Sequence, residues 1–344
     1  MPSNFDRRRF LRAGGFAAGA ALLGPLVGSR ANATAALADE AVAATGVANT
    51  AMFNIHAPSY PFLNQINLAS TTAMQSFAFD SDNLRVYTVQ LTVNGTLGEL
   101  TCTKLDFSGG EVEPSWLHLK GFGHGVQIGV QPVGGSAYVW VETLTSTPGG
   151  YGTQIARFKF NDFAHGATLT TTTPGVEIYE PRPSYPTKSI AIDTAYNRAS
   201  LRYYIADGVT RYDLFDLDQF SAHEYATPPL ASLTISNGDF LGYSGTTKTP
   251  TFQGHTTHGS FLYLLTGERG VNNTVIWAYD WNKPGTASAP ITPADTFLTG
   301  AGISLTNREP EGMAVWEDAQ GTAHLTFGFA SGATTAHKAS IYYK

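Results

Sequence analysis

Imidazole and carboxylate side chains occur in short stretches whose other residues are mostly small or apolar. His124 lies in GFGHGVQIGV, three residues before Gln127, and the glycines there allow a backbone or a ligand to approach closely. Glu309 and Glu311 lie two residues apart in REPEGMAV, so their side chains share a face in an extended chain. Glycoside hydrolysis requires two carboxylates that flank the glycosidic bond. Neighbouring positions on one strand straddle a sugar poorly, however, so a surface ion pair with Arg308 is the favoured interpretation.

A second stretch, FQGHTTHG, contains Gln253, His255 and His258. These residues predict either a metal cluster or an imidazole base that abstracts a proton during β-elimination from a uronic acid. A spacing of three residues in a strand or turn is poorly diagnostic, and catalytic zinc sites normally have a clearer third ligand. We therefore expect no required cofactor, with a divalent metal as the less favoured alternative.

Two cations in EPRPSYPTKS, Arg182 and Lys188, are candidates for holding a phosphate or carboxylate, because a guanidinium can bind such anions through two hydrogen bonds. Solvation of an ordinary loop is the alternative. Flat rings could stack on sugar faces, although most of the 41 aromatic residues (20 Phe, 16 Tyr and 5 Trp) must belong to the core. The candidates are Trp116, Trp140, Tyr151, Tyr179 and Tyr185.

The elements that must position these residues form five similar units. Each unit has a first strand, a turn, a second strand with an aromatic residue, a variable loop and a third hydrophobic strand. The units begin at QSFAFD, HGVQIGV, SIAIDTA, FQGHTTHG and EGMAVWED. Their spacing of roughly 50 to 65 residues is typical of one propeller blade with its loops. Strict alternation in LRVYTVQLTV and AYVWVET also favours strands. The sequence therefore predicts an all-β, five-bladed β-propeller, and the weaker alternative is a β-sandwich.

A propeller fold would bring the polar residues of the first strands to one face. Aligning the units places Gln75, His124 with Gln127, Arg182 with Lys188, Gln253 with His255, and Glu309 with Glu311 at corresponding positions. Convergent polar groups on a concave surface are typical of a small-molecule or sugar site. For His124, structural and functional roles are equally supported. Either FLNQINLA or the terminal ASIYYK could pair across the seam of the ring.

The N-terminal residues predict export. Arg7 and Arg8, then Phe10 and Leu11, precede an apolar run from Gly14 to about Val27, which is the pattern of a twin-arginine signal peptide. We expect a signal peptide at 1–38, a linker leading into the fold at 39–72, and the propeller at 73–344. Cleavage after Ala33, Ala35 or Ala38 is consistent with the small residues there. This predicts a secreted protein, exported folded, with no stable membrane insertion after the signal is removed.

The charge, the cysteine content and the missing motifs exclude several classes of partner and function. The net charge of −6 argues against a sequence-independent grip on nucleic acid, which needs clustered Lys and Arg. Cys102 is the single cysteine, so no intrachain disulfide can form, and its alternating segment LTCTKLDF predicts a half-buried structural thiol. The chain has no G-x-S-x-G, no P-loop and no G-x-G-x-x-G before a helix, which leaves esterase, NTPase and dinucleotide functions without support.

Several motifs carry a family resemblance: QSFAFD, GFGHGVQIGV with YVWVET and YGTQIARFKF, FQG before LYLLTG, and EPEGMAV. They resemble the teichoic acid biosynthesis protein C family and the related propeller domain of phage tail receptor-binding proteins. The resemblance spans about residues 70 to 344 and is strongest around His124 and Gln253. It implies a five-bladed propeller and, in the phage relatives, attachment to wall teichoic acid or a similar glycopolymer. The predicted signal peptide is a departure from the phage proteins.

Three functions remain open from the sequence. The leading expectation is a secreted propeller that binds a teichoic-acid-like or uronic-acid polysaccharide, with Gln75, Gln127, Arg182, Lys188, Gln253 and His258 as binding residues. The alternative is a polysaccharide lyase or glycoside hydrolase on the same face. In that enzyme His124 or His255 would be the base, and Glu309 or Glu311 the acid. A third possibility is a wall-associated module that binds a protein partner.

Overall fold

The computed structural model describes residues 46–92, 98–145, 150–240, 250–286 and 291–344. The predicted signal peptide at 1–38 and its cleavage sites lie outside these residues. In the described part of the chain no helix is long and apolar enough to cross a membrane.

Strands make up nearly all of the regular structure. In chain order they are β1 (Tyr60–Ile66), β2 (Met74–Asp80), β3 (Arg85–Leu91), β4 (Leu100–Asp106), β5 (Glu111–Leu119), β6 (Gly129–Val133), β7 (Ser136–Thr143), β8 (Gln154–Lys159), β9 (Thr168–Leu169), β10 (Val176–Tyr179), β11 (Ser189–Asp193), β12 (Arg198–Ala206), β13 (Val209–Asp216), β14 (Ala231–Ser236), β15 (Phe252–His258), β16 (Phe261–Thr266), β17 (Val275–Asp280), β18 (Asp295–Leu298), β19 (Glu309–Glu317), β20 (Ala323–Ala333) and β21 (Ala336–Tyr343). Within the described residues, a short helix, α1 (Leu217–Ser221), and 3₁₀ turns at Phe160–Asp162 and Asn237–Phe240 complete the elements.

These strands form five antiparallel sheets, one for each predicted unit. Blade 1 contains β2, β3, β4 and β5 with the short β9 added in parallel, and blade 2 contains β6, β7, β8 and β10. Blades 3 and 4 contain β11 to β14 and β15 to β18, and blade 5 contains β19, β20, β21 and β1. The inner strands β2, β6, β11, β15 and β19 contact one another in a ring. The predicted five-bladed propeller is therefore confirmed.

The ring is closed by pairing between the two ends of the described chain. β1 pairs antiparallel with β21, so that Tyr60 lies opposite Tyr343 and Ile66 opposite Ala339. Both segments suggested from the sequence as seam strands take part in this pairing. Closure gives the C-terminal strand a partner on its open edge, which would otherwise expose unpaired backbone groups.

The hydrophobic core is divided among the spaces between neighbouring blades. Each of five clusters draws side chains from two adjacent blades; one example joins Leu117 of blade 1 to Val139 of blade 2. The alternation read from the sequence produces this arrangement, because successive side chains of a strand point to opposite faces of the sheet. Both faces of a blade are therefore covered by its neighbours.

The start of blade 2 differs from the sequence expectation. HGVQIGV was predicted to be a strand, but the strand β6 begins only at Gly129, and residues 121–128 form an irregular loop with one isolated bridge at Phe122. Gly121 and Gly125 have φ values of +83° and +77°, which glycine adopts at little cost. This loop lies at the end of the channel where the inner strands begin, which is called the upper end below.

Candidate functional site

The glycine-rich loop at the upper end encloses a buried carboxylate, that of Glu142 on β7. The backbone N–H of Gly125 donates to Glu142 Oε1 at 2.7 Å, and the N–H of Gly152 donates to Oε2. A Cβ at Gly123 would lie 2.4 Å from the carboxyl carbon of Glu142, so the loop can pass this close only as glycine. Burial raises the pKa of Glu142 to about 7, against the lowering effect of these backbone donors.

His124 lies beside Tyr151 at the same end of the channel. Its side chain is 7 % exposed, and the two ring centroids are 5.6 Å apart. Tyr151 is half-buried and extends from this histidine toward Arg202 of blade 3. The loop therefore brings a buried imidazole and a half-buried phenol together.

Arg202 is a deeply buried cation of this region, with 1 % of its surface exposed. Its guanidinium carbon lies 4.0 Å from the ring centroid of Phe252, 4.8 Å from that of Tyr204 and 5.9 Å from that of Tyr151. Among the described residues, its Nε and Nη1 have no hydrogen-bond partner. We call Arg202, Phe252, Tyr204, Tyr151 and His124 the mouth cluster. A buried guanidinium with unpaired donors is suited to an anion, because the donors otherwise carry an uncompensated desolvation cost.

Gln127, in the loop before β6, and His255 link blade 2 to the inner strands of blades 4 and 5. The Gln127 side chain donates to Met313 O at 3.0 Å and accepts from the backbone N–H of His255 at 3.1 Å. The fully buried His255 has its Nε2 3.2 Å from Ser200 O, so Nε2 is the donor and Nδ1 is unprotonated. Burial lowers the pKa of His255 to about 3, so this imidazole is neutral at physiological pH.

The other predicted residues of the inner strands lie near the starts of those strands, and all but Glu309 are buried. The Gln75 side chain donates to Ala73 O at 3.3 Å, and the Gln253 side chain donates to Gly267 O at 3.0 Å. Glu311 is fully buried, whereas Glu309 is half-buried. A register shift follows Pro310 of β19, so simple alternation does not relate the two carboxylates.

The two predicted anion-binding cations bond to groups of the protein itself. Arg182 forms an ion pair with the buried Asp213, with Nε and Nη2 each 2.8 Å from Oδ2. The buried Lys188 donates to Thr153 O at 2.6 Å and to Tyr185 O. Burial lowers the pKa of Lys188 to about 8. Both cations thus connect loops between blades 2 and 3.

His258 lies at the opposite, lower end of the channel, apart from His255. Its ring stacks on Phe53 at 5.0 Å, and its Nδ1 is 3.6 Å from Asp193 Oδ1. It lines a cavity of about 60 Å³ together with residues of all five inner strands. His255 and His258 lie three residues apart on β15, so their side chains point to opposite faces of the strand, and the structure does not bring them together as one cluster. In the described ranges, no group of three His, Cys, Asp or Glu side chains is placed to hold a metal ion.

Sequence reasoning missed Glu142, Arg202, Tyr204 and Phe252. A glutamate inside the apolar run YVWVET was a usable signal, since carboxylates are rarely buried without dedicated donors. The same holds for the arginine in LRYYIA. Of the predicted sugar-stacking rings, Trp140 and Tyr179 belong to the core, Tyr185 is exposed, and Trp116 is half-buried on blade 1.

Comparison with known proteins agrees with this architecture. The model of the phage 5-bladed beta propeller receptor binding platform domain matches residues 73–343. The chain is 25% identical over 289 residues to the putative major teichoic acid biosynthesis protein C of Bacillus subtilis (strain 168). That match covers 81% of this chain and 60% of the relative, so the chain spans less than two thirds of its length.

Among solved structures, the tail fiber of Staphylococcus aureus phage P68 superposes with a TM-score of 0.66 at 18% sequence identity. The match covers 85% of this chain and 53% of the tail fiber. At this identity the likeness shows the fold. The comparisons thus identify the same two groups of proteins that the sequence motifs resemble.

Proposed function

This chain belongs to the family of phage 5-bladed beta propeller receptor binding platform domains, and from that premise we propose that it binds an anionic extracellular glycopolymer at the upper end of its channel. The polymer would be teichoic-acid-like or a uronic-acid polysaccharide. Its phosphate or carboxylate would bind Arg202, and its sugar rings would contact Tyr151 and Tyr204.

The observation that carries this proposal is the pair of unpaired donors on the buried Arg202 guanidinium. Phosphate and carboxylate match the planar donors of arginine, and surrounding rings provide faces on which sugars can stack. Arg182 and Lys188, which the sequence favoured for this role, are already bonded to Asp213 and to backbone carbonyls. Arg202 therefore replaces them as the anion-binding residue in the proposal.

The relatives support the polymer class by what their names say of them. One is a putative teichoic acid biosynthesis protein and the other is a phage tail fiber. With the predicted twin-arginine signal, these names favour a protein that works outside the cytoplasm on a cell-surface or secreted polymer. Gln75, Gln127 and Gln253 would then stabilise the inner wall of the site.

Retention on immobilised polymers tests the proposal. Ribitol-phosphate teichoic acid, glycerol-phosphate teichoic acid, polygalacturonate and a neutral glucan would be compared at low and high salt. We expect retention on at least one anionic polymer that weakens with salt, and Arg202→Met to weaken it about tenfold or more. If the wild type is retained on none of the anionic polymers, the proposal is contradicted.

Arg157→Met is the matched control, because Arg157 is also caged by aromatic rings but its Nη2 donates to the Glu177 carboxylate, and only its Nε has no partner among the described residues. Arg157→Met removes the same charge from a residue outside the mouth cluster, so we expect retention to stay unchanged. Circular dichroism spectra of both variants would establish that they are folded. Equal losses in both variants would assign the effect to net charge and would overturn the role of Arg202.

A second candidate is hydrolysis or β-elimination at the same end, favoured by the raised pKa of the Glu142 carboxyl beside the His124 loop. A carboxyl that holds its proton near neutral pH can act as a general acid. Release of reducing ends or of unsaturated uronate would identify the enzyme. Such activity should be lost in His124→Ala and His255→Ala, whereas retention without product supports binding alone.

A further inference from the structure

A groove of about 610 Å³ lies on blade 1, at the upper end but outside the ring of inner strands. Its lining includes Ser70, Glu99, Thr101, Trp116, His118 and Lys120. Ligand sites in proteins typically measure about 300–1,000 Å³, so this groove has room for one or more sugar units. It shares no residue with the mouth cluster.

The half-buried ring of Trp116 is held in a fixed position in this groove. The His118 and His165 rings meet it at angles of 61° and 63°, each with centroids 4.8 Å away. Gly166 approaches so closely that a Cβ there would lie 3.1 Å from Trp116 Cη2, and the Gly166 N–H donates to Trp116 O at 2.9 Å. An indole that lines the groove and is fixed in this way loses little side-chain freedom when a ligand packs against it.

Two further interactions make the walls of the groove rigid. On one side, the buried Gln90 amide accepts from Ser70 N–H at 3.0 Å and donates to Ser70 O at 2.8 Å and Thr72 O at 2.6 Å. On the other side, β9 extends blade 1 by pairing in parallel with β5 through His118 and Thr168. Blade 1 is the sheet with this fifth strand, and the groove lies where the strand is added.

The polar groups of the groove indicate which part of a polymer it would take. Thr101 Oγ1 lies 3.5 Å from His118 Nδ1, and both line the groove beside the exposed Lys120 and the Glu99 carboxylate. A carboxylate beside the ammonium disfavours a phosphate, because like charges repel. The combination of acceptor, donor and hydroxyl suits a sugar that carries several hydroxyl groups.

We propose that the Trp116 groove is a second carbohydrate subsite, which binds a neutral pyranose unit of the same glycopolymer by stacking it on the Trp116 indole. This deepens and rests on the proposed function, since the mouth cluster would take the anionic group and the groove would take a sugar ring. Two subsites on one polymer chain would raise the apparent affinity through a high effective concentration.

The test has two arms with the whole mature protein. In the first, the Trp indole N–H signals are followed by NMR during titration with the methyl glycosides of glucose, galactose and N-acetylglucosamine, and the Trp116 signal is assigned with Trp116→Phe. In the second, retention on the polymers named above is compared for wild type, Trp116→Ala and Trp316→Ala. Trp316 is the matched control, because it is half-buried and stacked on His324, with centroids 4.8 Å apart, at the lower end.

We expect one of the glycosides to shift the Trp116 signal and leave the Trp316 signal in place, and Trp116→Ala to weaken polymer retention about tenfold. If no glycoside moves the Trp116 signal and Trp116→Ala binds the polymer like wild type, the subsite is overturned while polymer binding stands. If a glycoside moves it but the wild type binds no polymer, the subsite stands and the proposed function fails.

Discussion

Burial moves the pKa values of two residues at the upper end in opposite directions. It raises that of Glu142 to about 7 and lowers that of His255 to about 3. Both groups are therefore held in their neutral forms around pH 6, since water that would stabilise the charge is excluded. Their effects on stability have opposite signs, so only variants can separate them.

We expect the free energy of unfolding of the wild type to fall, relative to that of Glu142→Gln, as pH rises from about 4.5 to about 7. In this window the folded state keeps the Glu142 proton and the unfolded state has lost it, so raising the pH favours unfolding. A shift from 4.5 to about 7 corresponds to about 3 kcal/mol at about 1.4 kcal/mol per unit.

The measurement is urea unfolding of both proteins at about pH 5 and pH 7.5. His255 is present in both, so its opposite contribution cancels in the difference. A difference between the proteins that stays constant across the window would show that Glu142 titrates normally in the fold.

At the scale of single residues, the sequence pointed to the polar residues of the inner strands but not to Arg202, the anion-binding residue of the proposal. Gln75, Gln127, Gln253 and His255 are all buried on or just before an inner strand, because this part of the repeat recurs in every unit. The hydrogen bonds of Gln127 and His255, however, join parts of different blades to each other. Arg202 lies on the second strand of its blade and reaches the cluster across the gap between blades, a contact that periodicity does not encode.

At the scale of elements, the closure of the ring depends on one short strand. β1 is exposed along most of its length but buries Leu63, which packs in the cluster with Phe77 and Ile341. β1 comes before blade 1 in the sequence, and β21 comes after the other strands of blade 5. Their pairing therefore joins residues that are separated in sequence by nearly the whole propeller. A defect in β1 should therefore loosen the junction between blades 5 and 1.

We expect Leu63→Ala to reduce the free energy of unfolding by about 3 kcal/mol, the usual cost of emptying a buried leucine site. Asn64→Ala is the control, because Asn64 is exposed on the same strand and should change stability by less than about 0.5 kcal/mol. Denaturant midpoints of the two variants give the comparison. Equal midpoints would mean that β1 adds little to the closed ring.

The strands themselves were predictable because alternation and turn residues are local signals. The stretch from Gly121 to Ile128 was not, since its apolar residues resemble a strand while its backbone bends around the Glu142 carboxylate. The partner that shapes this loop lies 17 residues from Gly125 along the chain. Only the folded blade brings the two together.

At the scale of the whole molecule, the core clusters tie the stability of each blade to that of its neighbours. Tyr212 of blade 3 packs in the same cluster as Leu264 of blade 4, and Tyr263 of blade 4 packs with Phe327 of blade 5. A blade that unfolds would expose the faces of both adjacent blades. We therefore expect the propeller to unfold as one cooperative unit.

Cys102 provides a local probe of that cooperativity. Its thiol is fully buried on β4 of blade 1, and burial raises its pKa, so it reacts only when the blade opens. The free energy of opening obtained from thiol labelling in increasing urea should equal that obtained from circular dichroism, which reports on every blade. Reaction of Cys102 at urea concentrations where the dichroism is still native would instead show that blade 1 opens by itself. In that case the pairing of β1 with β21 would not couple blade 1 to the rest of the ring.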